Sequence, residues 1–99
     1  MKFGLTQDQY TYILNEVVLP LENKGAEVWC FGSRARNTHE LFSDLDLMVV
    51  ADISLKTLIS NLKEKLTNSN FPFKVDIVEY SDFAESYKQN FAAEKLLYR

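Results

Sequence analysis

The sequence predicts a small α+β domain, in which helices cover one mixed β-sheet. The chain has 99 residues, which is the size of one ordinary domain. Hydrophobic residues make up 46% of it and include seven Phe, five Tyr and one Trp, enough for a single core. Helical and strand-like apolar patterns follow in the order helix, strand, strand, helix, strand, helix. We therefore predict one domain that spans residues 1–99.

The first helix is predicted by a capping box and an apolar stripe. Thr6 is suited to N-cap the helix, with Gln9 at the capping-box position three residues later. One face then carries apolar residues at helical spacing: Tyr10, Ile13, Leu14, Val17 and Val18. Pro20 and Gly25 are predicted to mark the end of this helix. The β-branched and aromatic run 26–31, which a glycine closes, predicts the first strand.

A strand, a helix and another strand follow. Residues 44–50 predict the second strand, because they are polar at the start and continuously apolar at the end. Ser54 is predicted to cap the next helix, whose apolar face carries Leu55, Leu58, Ile59, Leu62 and Leu66. After a loop that contains a proline, the run 73–79 predicts the third strand.

The C-terminal part of the chain leaves two alternatives open. Ser81 or Asp82 is predicted to cap a last helix that carries Phe83, Ala84, Tyr87 and Phe91. Residues 96–98 are compatible with either the end of that helix or an edge strand.

Charge and cysteine content exclude several classes of protein. Eleven basic and fourteen acidic residues give a net charge of −3, so we expect neither direct nucleic-acid binding nor attraction to an anionic membrane. The single cysteine, Cys30, excludes an internal disulfide and a structural cysteine-zinc site, and it fits a reducing cytoplasm. The sequence shows no signal-peptide pattern and no apolar run of about 20 residues, so we expect a cytoplasmic location.

Three acidic residues lie on strands that should be buried. Asp44 and Asp46 are two positions apart on one strand, so their side chains share a face. Asp76 lies between Val75 and Ile77 on another strand. If the two strands are neighbours, the three carboxylates are expected to converge, and a hard cation such as Mg²⁺ would offset their repulsion. The alternative is that Asp44 caps a turn and Asp46 faces solvent; the apolar neighbours of these acids favour the cation site.

A glycine-led turn directly after the first strand is a candidate phosphate site. Gly32 allows close approach of the backbone, and Ser33 offers a hydroxyl. Arg34 and Arg36 add positive charge for a polyphosphate, and we expect Ser33 and Arg34 to be exposed in a cleft. Taken alone, this pattern is more typical of a surface turn, and its spacing from the Asp-x-Asp pair is what favours a phosphate site.

Together these motifs resemble a known superfamily. Gly32-Ser33, ten intervening residues and then Asp44-Leu45-Asp46, with a later strand acid at Asp76, are similar to the signature of the DNA polymerase β-like nucleotidyltransferases. The stretch FGSRARNTHELFSDLDLMVV followed by VDIVEY resembles the minimal nucleotidyltransferases in particular.

The resemblance implies a polymerase β-like fold and a role for each motif residue. Gly32 and Ser33 would bind the nucleoside triphosphate, with Arg34 and Arg36 beside them. Asp44 and Asp46 would hold two metal ions, Mg²⁺ or Mn²⁺, and Asp76 would be the third carboxylate, which helps to activate the acceptor hydroxyl. One departure is visible at position 37, where Asn stands in place of the usual Gly; asparagine tolerates positive φ, so we expect the turn to survive.

The function expected from this resemblance is transfer of AMP from ATP to an acceptor hydroxyl. Minimal nucleotidyltransferases resemble antitoxins that pair with a helical HEPN ribonuclease toxin and adenylylate a tyrosine on it, so such a partner is expected here. Two other classes stay open: a non-catalytic module that docks to a helical partner, and a transferase that acts on a small molecule. Nucleotide preference and homodimer formation do not follow from the sequence.

Overall fold

The β-sheet is mixed and has four strands in the computed structural model, which describes residues 2–99. The strands are β1 (Glu27–Phe31), β2 (Leu45–Val50), β3 (Val75–Glu79) and β4 (Leu96–Leu97). Their order across the sheet is β3–β2–β1–β4. β1 is antiparallel to β2 and to β4, whereas β2 and β3 are parallel. The predicted α+β class with a mixed sheet is confirmed.

Five α-helices accompany the sheet in the described part of the chain. They are α1 (Gln7–Ile13), α2 (Leu19–Glu22), α3 (Ser33–Arg36), α4 (Lys56–Thr67) and α5 (Glu85–Glu94). Short 3₁₀ turns lie at Lys2–Gly4 and Tyr80–Asp82. None of the helices within residues 2–99 combines the length and the apolar character that a membrane crossing requires.

The N-terminal helix begins as predicted and continues past Pro20. The capping box is confirmed: Gln9 N–H donates to Thr6 Oγ1 at 3.1 Å, and Thr6 N–H donates to Gln9 Oε1 at 2.9 Å. Of the two residues predicted to mark the end of the helix, Pro20 does not stop it, because a π turn at Leu14–Val18 joins α1 to α2, which continues to Glu22. Gly25 lies just beyond that end and has φ 88°. Proline lacks an N–H and crowds the preceding turn, and the wider π turn accommodates both effects.

The two faces of the sheet differ in polarity. Alternate residues of β1, β2 and β3 point to one face and are buried there: Val28, Cys30, Leu45, Leu47, Val49, Val75 and Ile77. They form the main core with helical residues that include Ile13, Val17, Val18, Leu21, Ile59 and Leu62. Asp46 and Asp76 alternate with these buried positions and are half-buried on the opposite face. The acidic residues therefore lie away from the main core.

The start of α4 is capped by a distant carboxylate. The prediction that Ser54 caps this helix is wrong, since α4 begins at Lys56 without a side-chain cap. Instead, Glu79 at the end of β3 accepts the Leu55 N–H at 3.0 Å and is itself buried. Because a helix N-terminus carries partial positive charge, a buried carboxylate is well placed there.

The C-terminal segment forms an edge strand. Ser81 and Asp82, predicted as caps, lie in the 3₁₀ turn before α5, and α5 has no side-chain cap. Of the two alternatives for residues 96–98, the structure selects the strand: β4 pairs with β1, and the following Tyr98 is fully buried. The Tyr98 ring stacks on Tyr10 at 4.9 Å between centroids, which ties this end of the chain to α1.

Candidate active site

Three of the predicted site residues, Gly32, Asp46 and Asp76, lie together at one end of the sheet. β1 ends where β2 and β3 begin, and Asp46 is paired with Phe31 on one side and with Asp76 on the other. Paired residues of adjacent strands point to the same face, so the Asp46 and Asp76 side chains are lateral neighbours. Gly32 follows Phe31 directly and therefore lies beside Asp46. The prediction that the second and third strands are neighbours is confirmed.

Gly32 occupies a position that only glycine fits. Its backbone has φ 76° and ψ −158°, a conformation that side chains rarely permit. A Cβ at this position would overlap the Asp46 carboxylate oxygen Oδ2. The backbone of the glycine turn and the Asp46 carboxylate are thus in close contact, and any larger residue would push them apart.

Asp46 lies in a strongly unfavourable environment for a charge. Burial, together with the nearby Asp76 and Asp44 carboxylates, raises the pKa of Asp46 to about 6, while Lys74 and Arg36 act in the opposite direction. A carboxylate with this pKa is partly protonated near neutral pH. The cost arises from desolvation and from like charges, and the attraction of a bound cation would offset both.

The donor set fits a divalent cation, although only two of the three acids are aligned by the sheet. Asp46 and Asp76 offer hard oxygen ligands side by side, which is the chemistry that Mg²⁺ prefers. Among residues 2–99, however, no three His, Cys, Asp or Glu side chains are grouped so that they could hold a metal ion. Strand pairing brings Asp46 and Asp76 together, whereas Asp44 precedes β2, is exposed and lies outside this ladder. The convergence of all three carboxylates on a cation therefore stays a prediction.

Arg34 is a structural residue, and the prediction that it lies exposed in a phosphate-binding cleft is wrong. Its side chain is 2% exposed and its guanidinium stacks on the Phe73 ring at 4.1 Å. It donates hydrogen bonds to four backbone carbonyls, those of Phe3, Gly4, Leu41 and Ser43. The guanidinium thus joins the N-terminal turn to the loop after α3 and leaves no donor for a triphosphate.

The other members of the glycine turn lie beside Gly32, although Ser33 is less exposed than predicted. Ser33 begins α3 directly after Gly32 and is half-buried. The side chain of Arg36 is 50% exposed. Asn37 ends α3 with φ 61° in the left-handed region, so the expected tolerance of asparagine at this turn is confirmed. Gly32, Ser33 and Arg36 remain candidates for phosphate binding.

Glu94 is a site residue that the sequence analysis missed. Its carboxylate accepts the Gly32 N–H at 3.2 Å and pairs with Arg36 Nη1 at 2.7 Å. Glu94 is the last residue of α5 and is 62 positions from Gly32 in the chain. No local pattern marks this contact, because it arises only when α5 packs beside the end of β1.

Comparisons with known proteins agree with this geometry. A family model described as "Nucleotidyltransferase domain" matches residues 13–99, a range that includes every candidate site residue named above. The chain is 33% identical over 63 residues to "Probable protein adenylyltransferase MntA" of Haemophilus influenzae (strain ATCC 51907 / DSM 11121 / KW20 / Rd). That match covers 63% of this chain and 55% of the MntA protein, so it spans about half the length of this relative.

A solved structure shares the fold. The crystal structure of a toxin-antitoxin with AMP-PNP matches with a TM-score of 0.64, over 86% of this chain and 71% of that chain. The sequence identity is 22%, so this likeness shows the fold alone. The family model, by contrast, covers most of the sequence, and it confirms the predicted resemblance to nucleotidyltransferases. The chain belongs to the nucleotidyltransferase domain family.

Proposed function

We propose that this domain transfers AMP from ATP to an acceptor hydroxyl in a reaction that depends on Mg²⁺ or Mn²⁺. The observation that carries the proposal is the lateral pair of Asp46 and Asp76 beside the Gly32 turn, at one end of the sheet. A carboxylate pair and a backbone that permits close approach are the parts that a nucleotide phosphate chain with its cations needs. Family membership supports this class of reaction.

The resemblance to nucleotidyltransferases and the pairing of Asp46 with Asp76 support a proposed role for each carboxylate. We propose that Asp44 and Asp46 hold two cations, and that Asp76 contributes the third carboxylate and takes up the proton of the acceptor hydroxyl. When bound, the cations would lower the pKa of that hydroxyl and neutralise the leaving pyrophosphate. The acceptor oxygen forms a bond to the α-phosphorus of ATP as the bond to the bridging oxygen breaks and pyrophosphate leaves.

The glycine turn would position the triphosphate. Gly32 provides an N–H and room for a phosphate oxygen, and Ser33 provides a hydroxyl next to it. Arg36 has an exposed guanidinium that can reach a charged ligand. The protein contributes little covalent chemistry in such a transfer, so a small domain suffices for positioning and charge stabilisation.

We further propose that the acceptor is a tyrosine on a helical HEPN-type toxin, and that the domain acts as its antitoxin in the cytoplasm. The resemblance to minimal nucleotidyltransferases supports this choice, as does the match to a relative named as a protein adenylyltransferase. The side chains of Leu41 and Phe42 are 78% and 67% exposed just before Asp44, which supplies an apolar surface next to the site. The free thiol of Cys30 is buried, as suits a reducing compartment.

The test is AMP transfer to a co-expressed toxin. The protein is produced with a HEPN toxin encoded nearby, and the intact mass of the toxin is measured after incubation with ATP and Mg²⁺. We expect a mass increase of one or more AMP units with the wild type and with D52N, a control that removes one exposed acid elsewhere. D46N should abolish it. A toxin that stays unmodified but is neutralised in a stable complex would instead favour the non-catalytic docking module.

A further inference from the structure

The carboxylate of Glu94 occupies the groups that a phosphate would use. Its Oε1 accepts the Gly32 N–H at 3.2 Å, and its Oε2 pairs with Arg36 Nη1 at 2.7 Å. The Glu94 side chain is 19% exposed, so the carboxylate is largely withdrawn from water and held by these two donors. Carboxylate and phosphate oxygens accept hydrogen bonds from the same backbone N–H and guanidinium groups.

We propose that Glu94 is a built-in competitor of the nucleotide: its carboxylate holds Gly32 and Arg36 in the nucleotide-free protein and leaves them when a triphosphate binds. The inference rests on the proposed function, because it assumes that the glycine turn receives phosphates. A triphosphate carries several negative charges and can displace a single carboxylate from these donors. Glu94 therefore lowers the affinity of the glycine turn for a nucleotide.

The surroundings of Glu94 allow this exchange without unfolding of α5. Phe91, one turn earlier, is 3% exposed and packs edge-on against Phe31 at 5.7 Å between centroids. The next residue, Lys95, lies over the Trp29 ring at 4.4 Å. These contacts anchor the backbone on both sides of Glu94. The side chain itself borders an open cavity of about 530 Å³, which Gly32 and Arg36 also line, so it has room to turn away.

A purely structural role makes the opposite prediction. If Glu94 only satisfies the Gly32 N–H and steadies Arg36, its removal should destabilise the fold and loosen the turn, so that triphosphate binds no better or more weakly. If Glu94 competes with the ligand, its removal should improve binding even where stability falls. Affinity, measured together with Tm, separates the two roles.

The experiment compares E94Q and E94A with the wild type by calorimetric titration of inorganic triphosphate and of ATP with Mg²⁺. E94Q removes the charge with little change in shape, and E94A removes both contacts. E85Q is the matched control: it makes the same change in net charge on the same helix, but Glu85 pairs with Lys88 and its side chain is 88% exposed. We expect the Kd of both ligands to fall about three- to tenfold in E94Q and E94A, as for the removal of one competing charge-assisted contact that solvent weakens on the half-exposed Arg36 side. E85Q should bind as the wild type does.

Parallel AMP-transfer assays keep this inference separate from the proposed function. If the wild type transfers AMP and both Glu94 variants bind the two ligands no more tightly than it does, the inference is wrong and the proposed function is unaffected. If these variants bind triphosphate more tightly but neither they nor the wild type transfer AMP, the result supports the inference and contradicts the proposed function. Failure of every variant to bind either ligand would overturn the inference, since the turn would then bind no phosphate.

Discussion

Asp46 is the residue at which the stability of the fold and the proposed function conflict most directly. Burial and the neighbouring Asp76 and Asp44 raise its pKa to about 6, whereas an unfolded chain has an ordinary aspartate. Between pH 4 and pH 6, Asp46 therefore stays largely protonated in the native protein, whereas it is already largely ionised in the unfolded chain. The contribution of this group to the free energy of unfolding is fully present below about pH 4 and is lost as the pH rises through about 6.

The D46N variant should therefore be more stable than the wild type in the absence of ligands at pH 7.5. Discounted for the half-exposed position of Asp46, the gain is of order 1 kcal/mol, or about 4–8 °C in Tm for a domain of this size. Thermal melts in EDTA from pH 4 to pH 8 measure it, and the difference between the two proteins should vanish near pH 4. D52N serves as the control and should show no such trend. A lower Tm for D46N at pH 7.5 would contradict the prediction.

Two arginines in one turn of α3 should lose very different amounts of stability on truncation. Arg34 is buried and donates to four backbone carbonyls, which R34A would leave without partners. We expect R34A to lower the free energy of unfolding by about 2 kcal/mol or more, and R34K to recover little, because lysine lacks the planar fork. R36A should cost under about 1 kcal/mol, since Arg36 makes an exposed ion pair. Urea unfolding checks all three, and equal losses in R34A and R36A would refute the assignment.

The residues of the site differ in how far the sequence could predict them. Asp46 and Asp76 were predictable because each interrupts an apolar strand, and the strand period alone fixes which face they share. Gly32 was predictable as the closing residue of β1. Arg34 was not, because its burial depends on the loop that returns over it from residues 41–43, and two arginines two positions apart look alike in sequence.

At the scale of elements, the cap of α4 shows how a distant group can replace a local one. Ser54 has the right chemistry for a cap, yet Glu79 from β3 accepts the Leu55 N–H. We expect S54A to change the free energy of unfolding by less than about 0.5 kcal/mol and E79A to lower it by about 1–3 kcal/mol. E79Q should lie between, because an amide oxygen still accepts the bond without the charge. Chemical denaturation of the three variants tests this. A large loss of unfolding free energy in S54A alone would show instead that Ser54 caps the helix.

The elements that were predicted correctly depend on short-range patterns. The capping box of Thr6 and Gln9 closes within one helical turn, and the stripe on α4 repeats within its own length. The sequence does not distinguish a strand from a helix end at β4, because two adjacent leucines have no strand periodicity. These leucines, which are exposed, form a strand only through their pairing with Trp29 and Cys30. The π turn before Pro20 could not be predicted either, because proline is normally read as the end of a helix.

At the scale of the whole molecule, the site joins distant parts of the chain. β1, β2 and β3 bring Gly32, Asp46 and Asp76 to one end of the sheet, and α5 adds Glu94 from near the C-terminus. The parallel pairing of β2 with β3 sets the register that places the two acids side by side. Sequence patterns predicted that these strands exist, but a parallel register depends on the α4 crossover that connects them.

Because the site unites these elements, its ligands should stabilise the entire domain. A ligand that binds only the native state adds about 2.7 kcal/mol to the free energy of unfolding at a hundredfold excess over Kd. We therefore expect ATP with Mg²⁺ to raise the wild-type Tm by about 10 °C or more, given about 4–8 °C per kcal/mol. ATP or Mg²⁺ alone should give a smaller rise, because the carboxylates and the phosphates repel one another without the cation. D46N should lose most of the response despite its higher starting Tm, whereas D52N should keep it. Thermal melts with each ligand alone and with both together measure these shifts. An equal rise in Tm in the wild type and D46N would show that Asp46 takes no part in binding the nucleotide.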